Sequence, residues 1–370
     1  MSEQATPPVK LRASVLAAPA YRQGAAPTTP GFKLSSNENP FSPLPGVVEA
    51  VTARAAFTNR YAGAAMPELR EAIGAIFGVD ATHVALGAGS VTLLYQLVHA
   101  AAGPGDEYLY AWPSFEAYPS LGLASGATPV AVPLTGSSEH DLEAMADRVT
   151  AATRVVLLCT PNNPTGPAIS RDAFERFMAR VPRDTLVVLD EAYREFVTDP
   201  AAVRGEDVLT QHENLVVLRT FSKAYGLAGL RIGYGVGSPA ILAAAASVAI
   251  PLSVTGVAEA AALASLTPEA AAVHDERVAQ LSERRDALAN GLRELGLQVP
   301  DAQGNFVWVP EAQGGAATDA GVHSAAALAA DFVEAGTLVR PFPGYGVRIS
   351  VGEAESLPEV LRIVRAHLNR

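Results

Sequence analysis

Lysine is almost missing from this chain: of 27 basic residues only Lys10, Lys33 and Lys223 are lysine, and arginine supplies the rest. A genomic bias toward Ala, Arg, Gly and Pro explains such scarcity without function, but a lysine in mid-chain still needs a local reason. Cysteine is rarer. Cys159 stands alone, which excludes an intramolecular disulfide, and no Cys/His cluster has zinc-like spacing, so no metal is expected. Long apolar runs are also lacking. The longest, Ala240 to Ile250 between Pro239 and Pro251, falls far short of the ~20 residues of a bilayer span. Residues Met1 to Leu16 show no apolar core flanked by basic residues and a cleavage site, so a cytoplasmic protein is expected. Charged residues make up 18% and the net charge is −11, a balance that disfavours nucleic acid or an anionic membrane as main partner. The 31 glycines and 27 prolines follow no period, which excludes collagen and coiled coil.

What is present is enough apolar material for a large core. Hydrophobic residues reach 49%, and 370 residues at about 150 per domain suggest two or three domains, or one large and one small. Residues 1–45, rich in Pro, Ser, Asn and Gly, read as an extended arm. Short apolar runs then recur at Val84–Leu86, Glu107–Ala111, Thr128–Val132, Val155–Cys159, Thr185–Leu189 and Leu215–Leu218. Helical stretches such as Pro67–Phe77, Val91–Ala102 and Arg171–Arg180 separate them. That alternation predicts an α/β fold with a mostly parallel sheet covered by helices on both faces. After Thr255 the pattern turns helical, with an amphipathic candidate over Asp275–Leu295 and strand candidates at Asn305–Val309 and Val347–Val351, which suggests a smaller α+β domain. Residues Gln313–Gly321 read as a loop.

Ligands of parallel α/β sheets gather at the carboxyl ends of the strands, so the residues just beyond each run come first. Gly87-Ala88-Gly89-Ser90-Val91 is either a structural turn or an anion cradle feeding a helix N-terminus. In Thr160-Pro161-Asn162-Asn163-Pro164-Thr165-Gly166, Asn163 stands where an amide can meet a ligand oxygen, and a plain turn is the alternative. Asp190 follows apolar residues directly; a carboxylate buried there needs a cation or donor, unless it only caps the next helix. Lys223 lies in Arg219-Thr220-Phe221-Ser222-Lys223-Ala224-Tyr225-Gly226, an apolar and small-residue setting that lowers an amine's pKa and suits Schiff-base chemistry. Thr220, Ser222 and Arg231 are placed to hold a phosphate.

Five segments in order carry a resemblance: Ser-Asn-Glu-Asn-Pro, Asn-Arg-Tyr, Pro-Asn-Asn-Pro-Thr-Gly, Asp-Glu-Ala-Tyr and Thr-Phe-Ser-Lys-Ala-Tyr-Gly-Leu-Ala-Gly-Leu-Arg-Ile-Gly. From about Ser35 to Gly352 the chain resembles the fold-type-I pyridoxal-phosphate aminotransferases of the histidinol-phosphate aminotransferase branch. The resemblance implies a large cofactor-binding domain over 46–260 with a seven-stranded sheet. A small α+β domain over 261–370 and an arm over 1–45 packing on it and on a partner subunit would complete the chain. Lys223 would bind pyridoxal 5'-phosphate covalently and shuttle the proton, and Asp190 would pair with the ring nitrogen. Asn163 and Tyr193 would hold the phenolic oxygen, and Phe115 would stack on the ring. The Ser90 and Val91 amides, Thr220 or Ser222, and Arg231 would bind the phosphate. Tyr61 would reach the neighbouring subunit's phosphate, implying a homodimer with shared sites. Arg348 would take the substrate α-carboxylate, with Asn39, Tyr21 and Arg340 also on the substrate side.

Substrate identity is carried by less. Relatives that act on histidinol phosphate usually place an acidic residue where this chain has Val91, and Ala-Trp-Pro-Ser-Phe-Glu-Ala-Tyr-Pro is more similar to the aromatic (phenylalanine) aminotransferases of actinobacteria. Trp112, Phe115, Tyr118 and Tyr21 suit an aryl-lined pocket, or plain core packing. Arg340 lies near where the relatives hold a substrate phosphate, and it suits the distal carboxylate of glutamate or 2-oxoglutarate equally well. The expected reaction is transamination of an aromatic L-amino acid with 2-oxoglutarate, with histidinol phosphate as the alternative donor. A fold-type-I lyase or decarboxylase would share Lys223 and Asp190. A non-catalytic regulator would need a basic DNA-binding module that the arm does not supply.

Overall fold

The computed structural model describes residues 9–18, 31–63, 66–312, 322 and 324–370. Seven strands form the large sheet: β1 (Val84–Gly87), β2 (Glu107–Trp112), β3 (Thr128–Pro133), β4 (Thr153–Cys159), β5 (Leu186–Asp190), β6 (Leu215–Thr220) and β7 (Gly233–Gly237). Their spatial order is β1-β7-β6-β5-β4-β2-β3. β2 to β6 pair in parallel, and β7 runs antiparallel to both β1 and β6. A second, antiparallel sheet has the order β8-β10-β9, built from β8 (Phe306–Pro310), β9 (Arg340–Phe342) and β10 (Gly346–Ser350).

The helices up to the end of the large sheet are α1 (Ala13–Ala17), α2 (Val47–Ala55), α3 (Pro67–Phe77), α4 (Ser90–Ala101), α5 (Leu142–Asp147), α6 (Arg171–Met178) and α7 (Gly205–Val208). Beyond it come α8 (Pro239–Ser247), α9 (Gly256–Ser265), α10 (Pro268–Glu294), α11 (Ala325–Glu334) and α12 (Ser356–Leu368).

Side-chain alternation divides the central strands between two cores. Val156, Leu158, Val187, Leu189, Leu215 and Val217 pack on α3, α6 and α9. Their neighbours Val155, Leu157, Leu186, Val188, Val216 and Leu218 pack on α4 and α8. Apolar residues on both faces explain why these strands read as continuous hydrophobic runs rather than alternating ones. The expected sheet covered by helices on both faces is therefore what forms, with a smaller antiparallel domain beyond it. That domain's core joins α10, α11 and α12 to Val307, Val309, Val347 and Ile349.

Two strands carry little sequence signal. β7 is Gly-Tyr-Gly-Val-Gly, and its glycines are there for space. A Cβ on Gly235 would come 2.9 Å from Leu218, and one on Gly233 would come 2.4 Å from the Ser90 nitrogen, so the start of α4 can sit directly on this strand. β9 has only three residues. The long helix α10 begins seven residues ahead of the expected Asp275, at Pro268, because Thr267 caps it through the Ala270 amide. The loop expected over 313–321 lies outside the described residues.

Part of the N-terminal arm crosses the small domain as an added extended segment. Leu34 donates its N–H to the Leu338 carbonyl (2.7 Å) and accepts from the Ser350 N–H (2.9 Å). Leu34 is counted in the small domain's core.

Candidate active site

Parallel strands all end on one edge of the sheet, and that edge collects Ser90 beyond β1, Phe115 beyond β2, Asn163 beyond β4, Asp190 at the end of β5 and Thr220–Lys223 at the end of β6. β10 faces this edge from the small domain. Val347 and Ile349 enter the small core, so Arg348 between them projects the other way. It donates to Asn163 Oδ1 at 2.5 Å and to the Ser35 carbonyl at 2.6 Å.

Lys223 donates from Nζ to the Ser36 carbonyl at 3.1 Å and lies 5.8 Å from the centre of the Tyr193 ring. Burial, reinforced by the nearby Arg348 and Arg231 charges, lowers its pKa to about 7. A substantial share of the amine is therefore in its neutral, nucleophilic form near neutrality.

Asp190 is buried, and burial raises its pKa to about 6, with the Tyr118 hydroxyl pulling the other way. That hydroxyl donates to Oδ2 at 2.9 Å, while Oδ1 accepts no hydrogen bond among the described residues. A buried acceptor left in this state costs about 1–3 kcal/mol, which a ligand N–H would recover. Asp190 is not the N-cap of the next helical turn; Tyr193 stands at that position and makes no side-chain capping bond.

An anion cradle stands beside it. The first amides of α4 have no partner within their helix. Gly89, at φ 82°, carries the chain into that helix, and a Cβ there would come 2.4 Å from Arg231 Nη2, so the guanidinium lies against the turn. Arg231 itself holds a left-handed backbone (φ 56°) and donates to Ser222 Oγ at 3.3 Å, while Thr220 Oγ1 donates to Ser222 Oγ at 3.0 Å. A non-glycine residue in that region costs roughly 1–3 kcal/mol, a strain that concentrates at ligand sites.

A cationic fork, an amine of lowered pKa, an orphaned carboxylate oxygen and an anion cradle thus gather at one sheet edge, and comparison with known proteins decides the family. Residues 29–369 match the family described as aminotransferase class I and II. The chain belongs to that family. This aminotransferase is 46% identical over 357 residues to an aromatic amino acid aminotransferase of Streptomyces coelicolor, covering 96% of each chain. Among solved structures it is similar to a histidinol-phosphate aminotransferase of Sinorhizobium meliloti in complex with pyridoxal-5'-phosphate (TM-score 0.78, 27% identity, 90% of this chain and 91% of that one). It is also similar to an aspartate aminotransferase of Thermus thermophilus with maleate (TM-score 0.79, 26% identity, 91% and 92%). The fold is that of the fold-type-I aminotransferases.

The aminotransferase brings Lys223, Asp190, Asn163, Tyr193, Arg348, Thr220, Ser222, Arg231 and the Ser90–Val91 turn to this edge. The Asn39 amide clasps the main chain, donating to the Lys223 carbonyl (3.3 Å) and the Ala224 carbonyl (2.9 Å). Tyr118 lies fully in the core rather than lining a pocket, because its hydroxyl holds Asp190. Arg340 is forked onto Glu116. Trp112 and Phe115 remain partly exposed, Trp112 meeting the Tyr345 ring edge-on at 6.4 Å and Phe115 meeting Tyr118 at 5.7 Å. Tyr61 is 84% exposed, and Tyr21 lies outside the described residues.

Asn37 is a hub that reading the sequence missed. It donates from Nδ2 to the Tyr193 hydroxyl (2.9 Å), accepts from Ser350 Oγ at Oδ1 (2.7 Å), and its carbonyl accepts from Asn305 Nδ2 (3.2 Å). Its place in Ser-Asn-Glu-Asn-Pro gave the only signal, and nothing there separated it from Asn39. Behind the site lies a second unforeseen group: Arg219 pairs with Glu191 and with Glu206, which also pairs with Arg194. These pairs anchor the residues next to Asp190 and Thr220.

Proposed function

We propose that this aminotransferase uses pyridoxal 5'-phosphate to move the amino group of an aromatic L-amino acid to 2-oxoglutarate. The observation that carries the cofactor is the orphaned, buried Asp190 Oδ1 beside the Ser90–Arg231 cradle and the amine of lowered pKa. The donor set fits the group: an acceptor for a ring N–H, an anion cradle for a phosphate, and an amine for an aldehyde. When bound, the cofactor supplies an electron-withdrawing ring that stabilises charge developing at the substrate's α-carbon.

The chain's own residues do the rest. Lys223 would attach the cofactor and carry the α-proton. Asp190 would hold the ring nitrogen protonated. Asn163 and Tyr193 would fix the phenolic oxygen, with Asn37 and Arg348 orienting them. Phe115 would cover the ring. The Ser90 and Val91 amides, Thr220, Ser222 and Arg231 would take the phosphate, and the Arg348 fork the α-carboxylate.

A homodimer is part of the proposal. Tyr61, Phe57, Ile250 and Leu252 expose large apolar side chains on and beside α2 and α9, two helices that pack together with Arg54 against Gly256. Tyr61 would reach the partner subunit's phosphate from there.

The aromatic donor is supported by the Streptomyces relative's name and by the aryl groups Trp112 and Phe115 at the cleft. Steady-state assays are expected to show kcat/KM for phenylalanine at least about tenfold above that for histidinol phosphate, near 1.4 kcal/mol of differential transition-state binding. A tenfold preference for histidinol phosphate would reverse the assignment.

Tyr118 is expected to act through Asp190. The Tyr118→Phe variant removes a donor that lowers the Asp190 pKa, so the acid limb of the pH–rate profile should move to higher pH. The rate at neutral pH should fall by about three- to tenfold, the scale of one ordinary hydrogen bond lost. An unshifted limb would reduce Tyr118 to packing.

A further inference from the structure

Arg340 and Arg348 are direct cross-strand partners where β9 meets β10, and Trp308 of β8 completes the row. Paired residues of antiparallel strands project from the same face, here the one turned to the large domain through Arg348 and Asn163. Like charges directly opposite destabilise a sheet unless each finds a counterpart. Arg348 donates to neutral acceptors, the Asn163 side-chain carbonyl and the Ser35 main chain. Arg340 grips a carboxylate with two bonds, Nε to Glu116 Oε2 at 3.0 Å and Nη2 to Oε1 at 2.6 Å. Both members are largely shielded, with side chains 20% and 29% exposed. Glu116 follows Phe115 on the loop after β2, where Trp112 touches Tyr345, so the ion pair and the aromatic contact join the two domains at one place.

We propose that Glu116 is a specificity-determining residue. By filling the fork of Arg340 it cancels positive charge directly beside Arg348, the proposed α-carboxylate site. The site then favours an amino acid with one carboxylate and an uncharged, apolar side chain. A second anion, whether phosphate or distal carboxylate, must displace a two-bond, charge-assisted pair before it can use Arg340. The inference deepens the aromatic-donor reading and rests on it. The 2-oxoglutarate half of the reaction meets the same barrier, so it is admitted with a raised KM.

The test compares half-reactions of the cofactor-loaded enzyme with L-phenylalanine and with histidinol phosphate, followed by cofactor absorbance. The Glu116→Gln substitution removes the carboxylate that neutralises Arg340, and the ratio of histidinol phosphate to phenylalanine kcat/KM is expected to rise at least 30-fold, with a lower KM for 2-oxoglutarate. Adding Arg340→Gln is expected to abolish that gain. An unchanged ratio in folded, cofactor-loaded Glu116→Gln overturns the proposal, as does a gain that survives in the double variant. If the single variant fails to fold, the double variant decides alone: its ratio should stay within threefold of the wild type, and a tenfold rise overturns the proposal. The wild-type ratio tests the aromatic reading, whereas the change between variants tests Glu116.

Discussion

Replacing Lys223 by methionine is expected to lower the half-reaction with an amino acid by about 10⁴-fold, the upper range for a positioned proton carrier. No adduct between this position and the cofactor should be trapped by borohydride. The same change should stabilise the cofactor-free protein at neutral pH. In the wild type the folded amine binds its proton only below about pH 7, whereas in the unfolded chain it does so up to its ordinary value of 10.5. Between those values the unfolded state holds more protons, so the wild type gains stability as the pH rises from 7 toward 10 and carries the full cost of its buried amine below 7. Methionine has no such cost. The variant should therefore melt above the wild type at pH 7, and the gap should close by about pH 10. Calorimetry of the cofactor-free proteins at both pH values checks this, and a gap that does not narrow would mean that the amine is not desolvated.

Asp190→Asn is the second large effect. The amide keeps the carboxylate's shape, but it cannot accept at both positions. If its oxygen keeps the Tyr118 hydroxyl, its NH₂ group faces the place where a ring N–H would have to enter, and two donors repel. A loss of about 10²–10³ in the half-reaction is expected, the scale of removing one electrostatic partner of a developing charge, together with weaker cofactor binding. Stability again moves in the opposite direction. The folded carboxyl titrates near 6, above its unfolded value, so its stabilising contribution is present at low pH and is lost as the pH rises through 6. The variant should melt above the cofactor-free wild type at pH 8. In both cases the native residue costs the empty fold stability and serves the chemistry.

Much of this was legible in the residues. The buried parallel strands announced themselves because both faces are apolar, and strand ends gave Asp190, Asn163 and Lys223 because ligand groups collect there. Three things were not legible. β7 was hidden because its glycines exist to let α4 and β6 approach, and spacing needs leave no hydrophobic trace. Asn37 and Asn39 could not be told apart, since a side chain that reaches a tyrosine hydroxyl and one that clasps a carbonyl are the same residue type two positions apart. The Glu116–Arg340 pair joins residues 224 positions apart, and only the docking of the two domains brings them together.

The segment from Ser35 to Asn39 precedes the whole large sheet in the sequence, yet its side chains and carbonyls close on Arg348 and Ser350 of β10. Contacts that span 313 positions form only once β10 has been made. A truncated chain, however well its large sheet has folded, has neither the fork for a carboxylate nor the hydroxyl that orients Asn37. Competence is thereby tied to the arrival of β10, and a reactive amine is given its working surroundings only when both domains are in place.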